Sequence, residues 1–120
     1  MVKEILLVGT GGFAGSALRY LVSVAMAGTQ VFLPWGTFTV NAVGSLLIGF
    51  LMSVLGQGAW YFLLVAGFCG GFTTFSAFSA ELFGMIRSGN YGQAGIYIVL
   101  SIVVCVAAVW LGMLIGGKLK

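Results

Sequence analysis

The chain has 120 residues, of which 61% are hydrophobic and 6% charged, where an ordinary soluble domain carries about 25% charged residues. With five cationic and two acidic side chains it could not cover its own apolar surface in water, so the class is membrane. The lack of histidine and aspartate excludes imidazole acid–base chemistry, Ser-His-Asp triads and metal sites of imidazole or several carboxylates, and no enzyme activity is expected. The net charge of +3 is scattered over Lys3, Arg19, Arg87, Lys118 and Lys120, which gives nucleic-acid binding no support.

Each crossing takes roughly 20 apolar residues, so residues 1–120 read as one transmembrane unit of about four helices. The first helix is expected from about residue 4 to 26. No small-residue cleavage pattern follows its apolar run, and it is kept as a mature helix. Its start, Ile5-Leu6-Leu7-Val8 and then Gly9-Thr10-Gly11-Gly12-Phe13-Ala14, imitates a strand and a dinucleotide-binding turn. No acidic residue follows about 20 positions on and no βαβ pattern continues, so that reading fails. Gly11/Gly15 and Gly12/Ser16 instead have the four-residue spacing that lets membrane helices approach closely. Arg19 is costly inside such a helix, about 3 kcal/mol or more at the bilayer centre. Two readings stay open: it snorkels to the interface, or it lines an aqueous vestibule and concentrates anions.

Ala27 to Leu33 is a short linker, and Pro34 suits the first turn of a second helix reaching about residue 55. Thr37, Asn41, Ser45 and Gly49 fall on one face of it. Asn41 must find hydrogen-bond partners in a medium that offers none, either across a helix contact or along a polar path. Gly56-Gln57-Gly58 turns the chain, and Trp60 and Tyr61 are interfacial anchors opening a third helix, about residues 60–87.

That third helix holds the densest pattern, Gly67-Phe68-Cys69-Gly70-Gly71-Phe72-Thr73-Thr74-Phe75-Ser76-Ala77-Phe78-Ser79. Paired glycines and threonines in mid-span invite a helix break near residues 70–74. Non-helical backbone at that depth survives only when buried in protein or lining a cavity, and freed carbonyls suit a hard cation such as sodium. Phe75 and Phe78 share a face, and ring edges carry the positive end of the aromatic quadrupole. Such edges could hold an anion weakly enough to release it; alternatively the pair faces lipid or core.

Ser88-Gly89-Asn90 turns the chain into a fourth helix, about residues 93–116, with Tyr97, Ser101 and Cys105 one turn apart. Cys69 and Cys105 lie in apolar runs without metal or redox spacing and read as small buried hydrophobes. Four crossings put both termini on one side with Lys3, Lys118 and Lys120, against Arg87 and at most Arg19 on the other. That weak bias is compatible with insertion in both orientations and an antiparallel dimer.

Phe-Thr-Thr-Phe-Ser-x-Phe-Ser (72–79) after Gly-Phe-Cys-Gly-Gly (67–71) closely resembles the signature of the Fluc (CrcB) fluoride channels. Gly36-Thr37-x-x-Val40-Asn41 and Gly12-x-x-Gly15-x-x-x-Arg19-Tyr20 resemble it too, and the likeness spans the chain. The resemblance implies an all-α integral membrane protein, four transmembrane helices with the third broken, assembled as a dual-topology antiparallel homodimer in the lipid bilayer. It also implies two fluoride pathways and a structural sodium ion. On it, Phe75 and Phe78 line the pore, Asn41 donates to fluoride, and Arg19 shapes the vestibule. Thr37, Ser76, Tyr97 and Ser101 match a polar track, Glu81 matches a carboxylate near the pore, and Gly70 and Thr73 offer backbone carbonyls to sodium from both subunits. Ala77 and Cys105 depart from the pattern, each weakening the track by a hydroxyl.

Fluoride holds its water tightly, so a pore must replace hydration with donors, and Asn41, Ser76, Ser101, Thr37 and Tyr97 can all serve. The implied role is passive fluoride export across the plasma (inner) membrane of a prokaryote. The alternative is a small four-helix proton-coupled multidrug exporter. That would need a carboxylate in the middle of the first helix, which has only Glu4 at its start. A non-conducting scaffold subunit would leave Asn41 and Gly70–Ser79 without a task.

Overall fold

The computed structural model describes residues 1–29 and 31–119, and every element among them is helical. Helix α1 spans Val2–Ala25 and is followed by a single 3-10 turn, Ala27–Thr29. Helix α2 spans Trp35–Val54. Pro34 stands one position ahead of it as the N-cap, where its carbonyl accepts from Phe38 N–H at 3.1 Å. The third span, Tyr61–Arg87, is composite: Tyr61–Cys69 is wound as a π-helix, Gly70–Phe72 forms one α turn (α3), and α4 runs Phe75–Arg87. Helix α5 spans Tyr91–Leu119. Each of the four spans is long and apolar enough to cross a membrane, which makes this a multi-pass membrane protein.

The α4–α5 turn is a Schellman motif. Gly89 takes φ 82°, its N–H donates to Ile86 O, and Asn90 N–H donates to Met85 O. A residue with a Cβ would be strained there, which is why the turn falls on Ser88-Gly89-Asn90.

Two seams hold the bundle, and both are made of backbone meeting backbone. In the first, α1 lies against the π-helical stretch and α3. A Cβ on Gly11 would strike Leu63 O and lie 2.8 Å from Phe68 N; one on Gly15 would strike Phe68 O and lie 2.8 Å from Phe72 N. From the other side, Gly67 faces Val8 O and Gly71 faces Gly12 O, so glycines spaced four apart on each helix interlock. In the second seam α2 runs along α5, with Gly49 against Val109 O and Gly112 against Leu46 O. Lipid tails are as apolar as leucine, so helices in a membrane gain from close van der Waals contact rather than from hiding apolar surface. Small residues at the seams and large ones outside follow from that.

Helix α4 rests on α5 around a compact cluster of Leu33, Phe78 and Tyr97, backed by Trp35, Phe38 and Leu82. The cluster sits beside the joint between α3 and α4.

Candidate functional site

Helical hydrogen bonding stops at Thr73 and Thr74, whose backbones are extended (φ −84°, ψ 158° and φ −149°, ψ 115°). Gly70 and Gly71, expected inside the break, are still helical. The interruption is thus confined to the two threonines.

Several polar groups at the joint exchange their helical partners for others. Thr73 N–H and Thr73 Oγ1 both donate to Cys69 O, at 3.0 and 2.9 Å, closing the upstream end. Thr74 is the N-cap of α4: its Oγ1 accepts from Ala77 N–H at 3.1 Å, the usual use of a threonine ahead of a helix. Asn41, reaching across from α2, bonds Thr74 twice. Its Oδ1 accepts from Thr74 N–H at 2.7 Å and its Nδ2 donates to Thr74 O at 3.1 Å. The carboxamide therefore supplies to one extended residue the donor and acceptor that a neighbouring strand would.

These bonds explain which carbonyls are left free. In an unbroken helix Gly70 O would accept from Thr74 N–H and Thr73 O from Ala77 N–H. Both donors are diverted, the first to Asn41 and the second to Thr74 Oγ1. Gly71 O receives a substitute, the Nε–H of Arg19 at 3.0 Å. Gly70 itself lies exposed on the chain's surface.

Beside the joint, Asn41, Thr73, Thr74, Phe75, Phe78, Ser101 and Cys105 line a groove of about 380 Å³. The two phenylalanines are 5.7 Å apart, centre to centre. They are not equivalent: Phe78 is 8% exposed, whereas Phe75 is 79% exposed on the outside of the chain. Ser101 is 8% exposed and its Oγ has no hydrogen-bond partner among the described residues, so a buried hydroxyl faces the groove unused. Such an orphan is costly unless something else bonds it.

A second cluster adjoins the first. Thr37 Oγ1 donates to Glu81 Oε2 at 2.7 Å and Tyr97 OH donates to Glu81 Oε1 at 2.9 Å. Tyr97 is completely buried, with its ring centre 4.9 Å from that of Phe78. A continuous line therefore runs from the carboxylate through Tyr97 and Phe78 to Phe75. Both carboxyl oxygens of Glu81 are thus satisfied by hydroxyl donors.

The structure thus brings Asn41, Phe75, Phe78 and Ser101 into one groove and Thr37, Glu81 and Tyr97 into the cluster behind it. Ser76 stands apart, exposed, sharing a 3.2 Å hydrogen bond with Thr74 Oγ1. Arg19 is not among the residues lining the groove; its Nε–H bonds the Gly71 carbonyl from the α1 side. The hydroxyls of Thr37 and Tyr97, expected as ready donors for an anion, are donating to Glu81 instead. Reading the sequence overlooked Thr74 as the hub of the joint. The available signal was a threonine just ahead of an apolar helical stretch, the mark of an N-cap.

A family model described as CrcB-like protein, Camphor Resistance (CrcB), matches residues 6–113. A protein named fluoride-specific ion channel FluC from Leptospira interrogans is 47% identical over 107 residues, covering 84% of each chain. Proteins of the same name from Methanococcus maripaludis and Chlorobaculum tepidum are 43% and 42% identical, covering 94% and 97% of this chain and 95% and 96% of their own.

Proposed function

The chain belongs to the CrcB-like family, and from that premise we propose that it is a fluoride-selective ion channel that lets fluoride leave the cell passively. The observation that carries the reading is the groove at the broken span. There a buried unpartnered hydroxyl, Ser101, meets the Phe75–Phe78 pair and the Asn41 amide. Asn41 spends one Nδ2 hydrogen on Thr74 O and keeps the other. A small, strongly hydrated anion could exchange water for these donors and for ring edges, each weak enough to let it go. Thr37 and Tyr97 could join only by trading Glu81 for the anion, so Glu81 competes with the passing ion for their protons.

The assembly we propose is an antiparallel homodimer of two oppositely inserted copies in the plasma (inner) membrane of a prokaryote. It is supported by the outward-facing Phe75 and Gly70 and by the weak charge bias between the two ends. Two copies would bring four carbonyls, from Gly70 and Thr73 of each, to one place. These are hard oxygen donors freed of their helical partners, which suits a sodium ion, and a bound sodium would supply a fixed positive charge tying the two breaks together.

The proton-coupled exporter is not favoured. Glu4, the acidic residue of the first span, lies in its first turn, bound to the N-terminal ammonium at 3.2 Å.

The test is reconstitution in liposomes, with fluoride efflux followed by an electrode after valinomycin releases a potassium gradient. Fast fluoride efflux with negligible chloride efflux is expected. Phe75→Ile or Phe78→Ile should slow it at least about a hundredfold, a barrier increase of about 2.7 kcal/mol. Proton-coupled cation efflux, or no anion flux from folded protein, would sink the reading.

A further inference from the structure

We infer that Arg19 is a positioning residue of the broken span: its Nε–H holds the Gly71 carbonyl, keeping that carbonyl from a cation and fixing the peptide beside the Gly70 carbonyl. The inference rests on the proposed sodium ion and names a determinant of its site outside the carbonyls that would touch it.

Arg19 lies six residues before the end of α1, about 9 Å along the axis. An arginine that merely escapes to the interface would extend its terminal nitrogens toward water. Here the contact is made by Nε, the nitrogen nearest the backbone, at 3.0 Å from Gly71 O. A bond at that atom fixes the stem of the side chain and not just its tip. Gly71 is also pressed from the same helix, because a Cβ there would lie 2.6 Å from Gly12 O. Helix α1 thus grips the Gly71 residue twice, by contact and by hydrogen bond.

The effect concerns selection among carbonyls. With its donor Phe75 N–H displaced to the start of α4, Gly71 O would be a further free acceptor next to Gly70 O. Arg19 takes it out of competition and orients the adjoining peptide, whose neighbour carries the Gly70 carbonyl. The guanidinium charge acts in the opposite sense, since it repels a nearby cation. Donor and charge can be separated chemically. In Arg19→Gln an amide nitrogen occupies the position of Nε, keeping the donor and removing the charge. In Arg19→Lys a methylene occupies that position, removing the donor and keeping the charge.

The experiment measures the thermal unfolding midpoint of the purified full chain in detergent, with sodium titrated against N-methylglucamine at constant ionic strength. A ligand that binds the native state alone raises this midpoint with the logarithm of its concentration once that exceeds Kd, so the titration yields a sodium affinity without any flux measurement. Arg19→Gln is expected to keep the wild-type sodium dependence within about twofold. Arg19→Lys is expected to need about tenfold more sodium, the weight of one charge-assisted hydrogen bond.

The inference is overturned if Lys matches wild type, if Gln shifts as far as Lys, or if Lys lowers stability equally at every sodium concentration. Should the Lys variant not fold, Gln decides alone: a tenfold shift there overturns the inference. A wild-type protein whose stability ignores sodium overturns the sodium site and this inference together. A sodium-dependent wild type with an unshifted Lys variant overturns only the role of Arg19.

Discussion

Upstream of Thr73 the third span meets its neighbour through backbone; downstream of Thr74 it meets its neighbours through side chains. The π-helical stretch and α3 press Gly67 and Gly71 directly against the peptide groups of α1. Helix α4 offers Phe78 and Glu81, wired by ring contacts and hydrogen bonds to Tyr97 of α5 and Thr37 of α2. The first half has no room for a Cβ at Gly67 or Gly71, whereas the second makes its contacts through side chains. One span can therefore be an anchor at one end and a working surface at the other, because the joint between them is tied independently by Asn41.

Breaking the anchored half should have the largest effect. Gly15→Leu would drive a side chain into Phe68 O and Phe72 N, where no flexible group can give way. Since even modest overpacking costs about 1–3 kcal/mol, a clash with backbone is expected to abolish folded protein, seen as loss of the monodisperse peak on size exclusion in detergent.

Cutting the tie between the halves comes next. Asn41→Ala leaves both Thr74 N–H and Thr74 O without their partner, at about 1–3 kcal/mol for each group. Reversible unfolding in mixed detergent should register a loss of about 2–5 kcal/mol. A loss below about 1 kcal/mol would mean that the joint stands without its staple.

The smallest effect sharpens the contrast. Gly84 is helical, exposed and in the downstream half, and a Cβ there meets nothing within 4 Å. Gly84→Ala should stabilise the protein by about 0.5–1 kcal/mol in the same unfolding assay through helix propensity alone. A destabilisation comparable to that of Gly15→Leu would show that the two halves do not differ in kind.

Much of this was readable in the chain itself because it depends on local chemistry. Four long apolar runs, the close approach at Gly11 and Gly15, and a helix interruption within residues 70–74 each follow from residue type and spacing, whereas its confinement to Thr73-Thr74 does not. What escaped depends on which element lies opposite. A uniformly apolar stretch such as Tyr61–Cys69 carries no periodic signal to separate π from α winding. Asn41 is recognisable as needing partners, but nothing near it in sequence says that the partner is the backbone of Thr74, 33 residues away. Arg19 was open between interface and vestibule, and its actual acceptor is a carbonyl that exists as a free group only because the third span breaks. The hydroxyls of Thr37 and Tyr97 look available until Glu81 is brought between them. Long-range pairings of this kind are written in the packing of α1 and α2 on the third span.

The diverted helical donors also bear on how the protein is made. A chain just released into the bilayer by the insertion machinery has Gly70 and Thr73 carbonyls stripped of their helical partners, and an unsatisfied backbone group in hydrocarbon costs several kcal/mol. Until water, an ion or a second copy reaches Gly70 and Thr73, the newborn subunit sits above its free-energy minimum. In the antiparallel dimer we propose, that penalty is what disfavours the solitary chain.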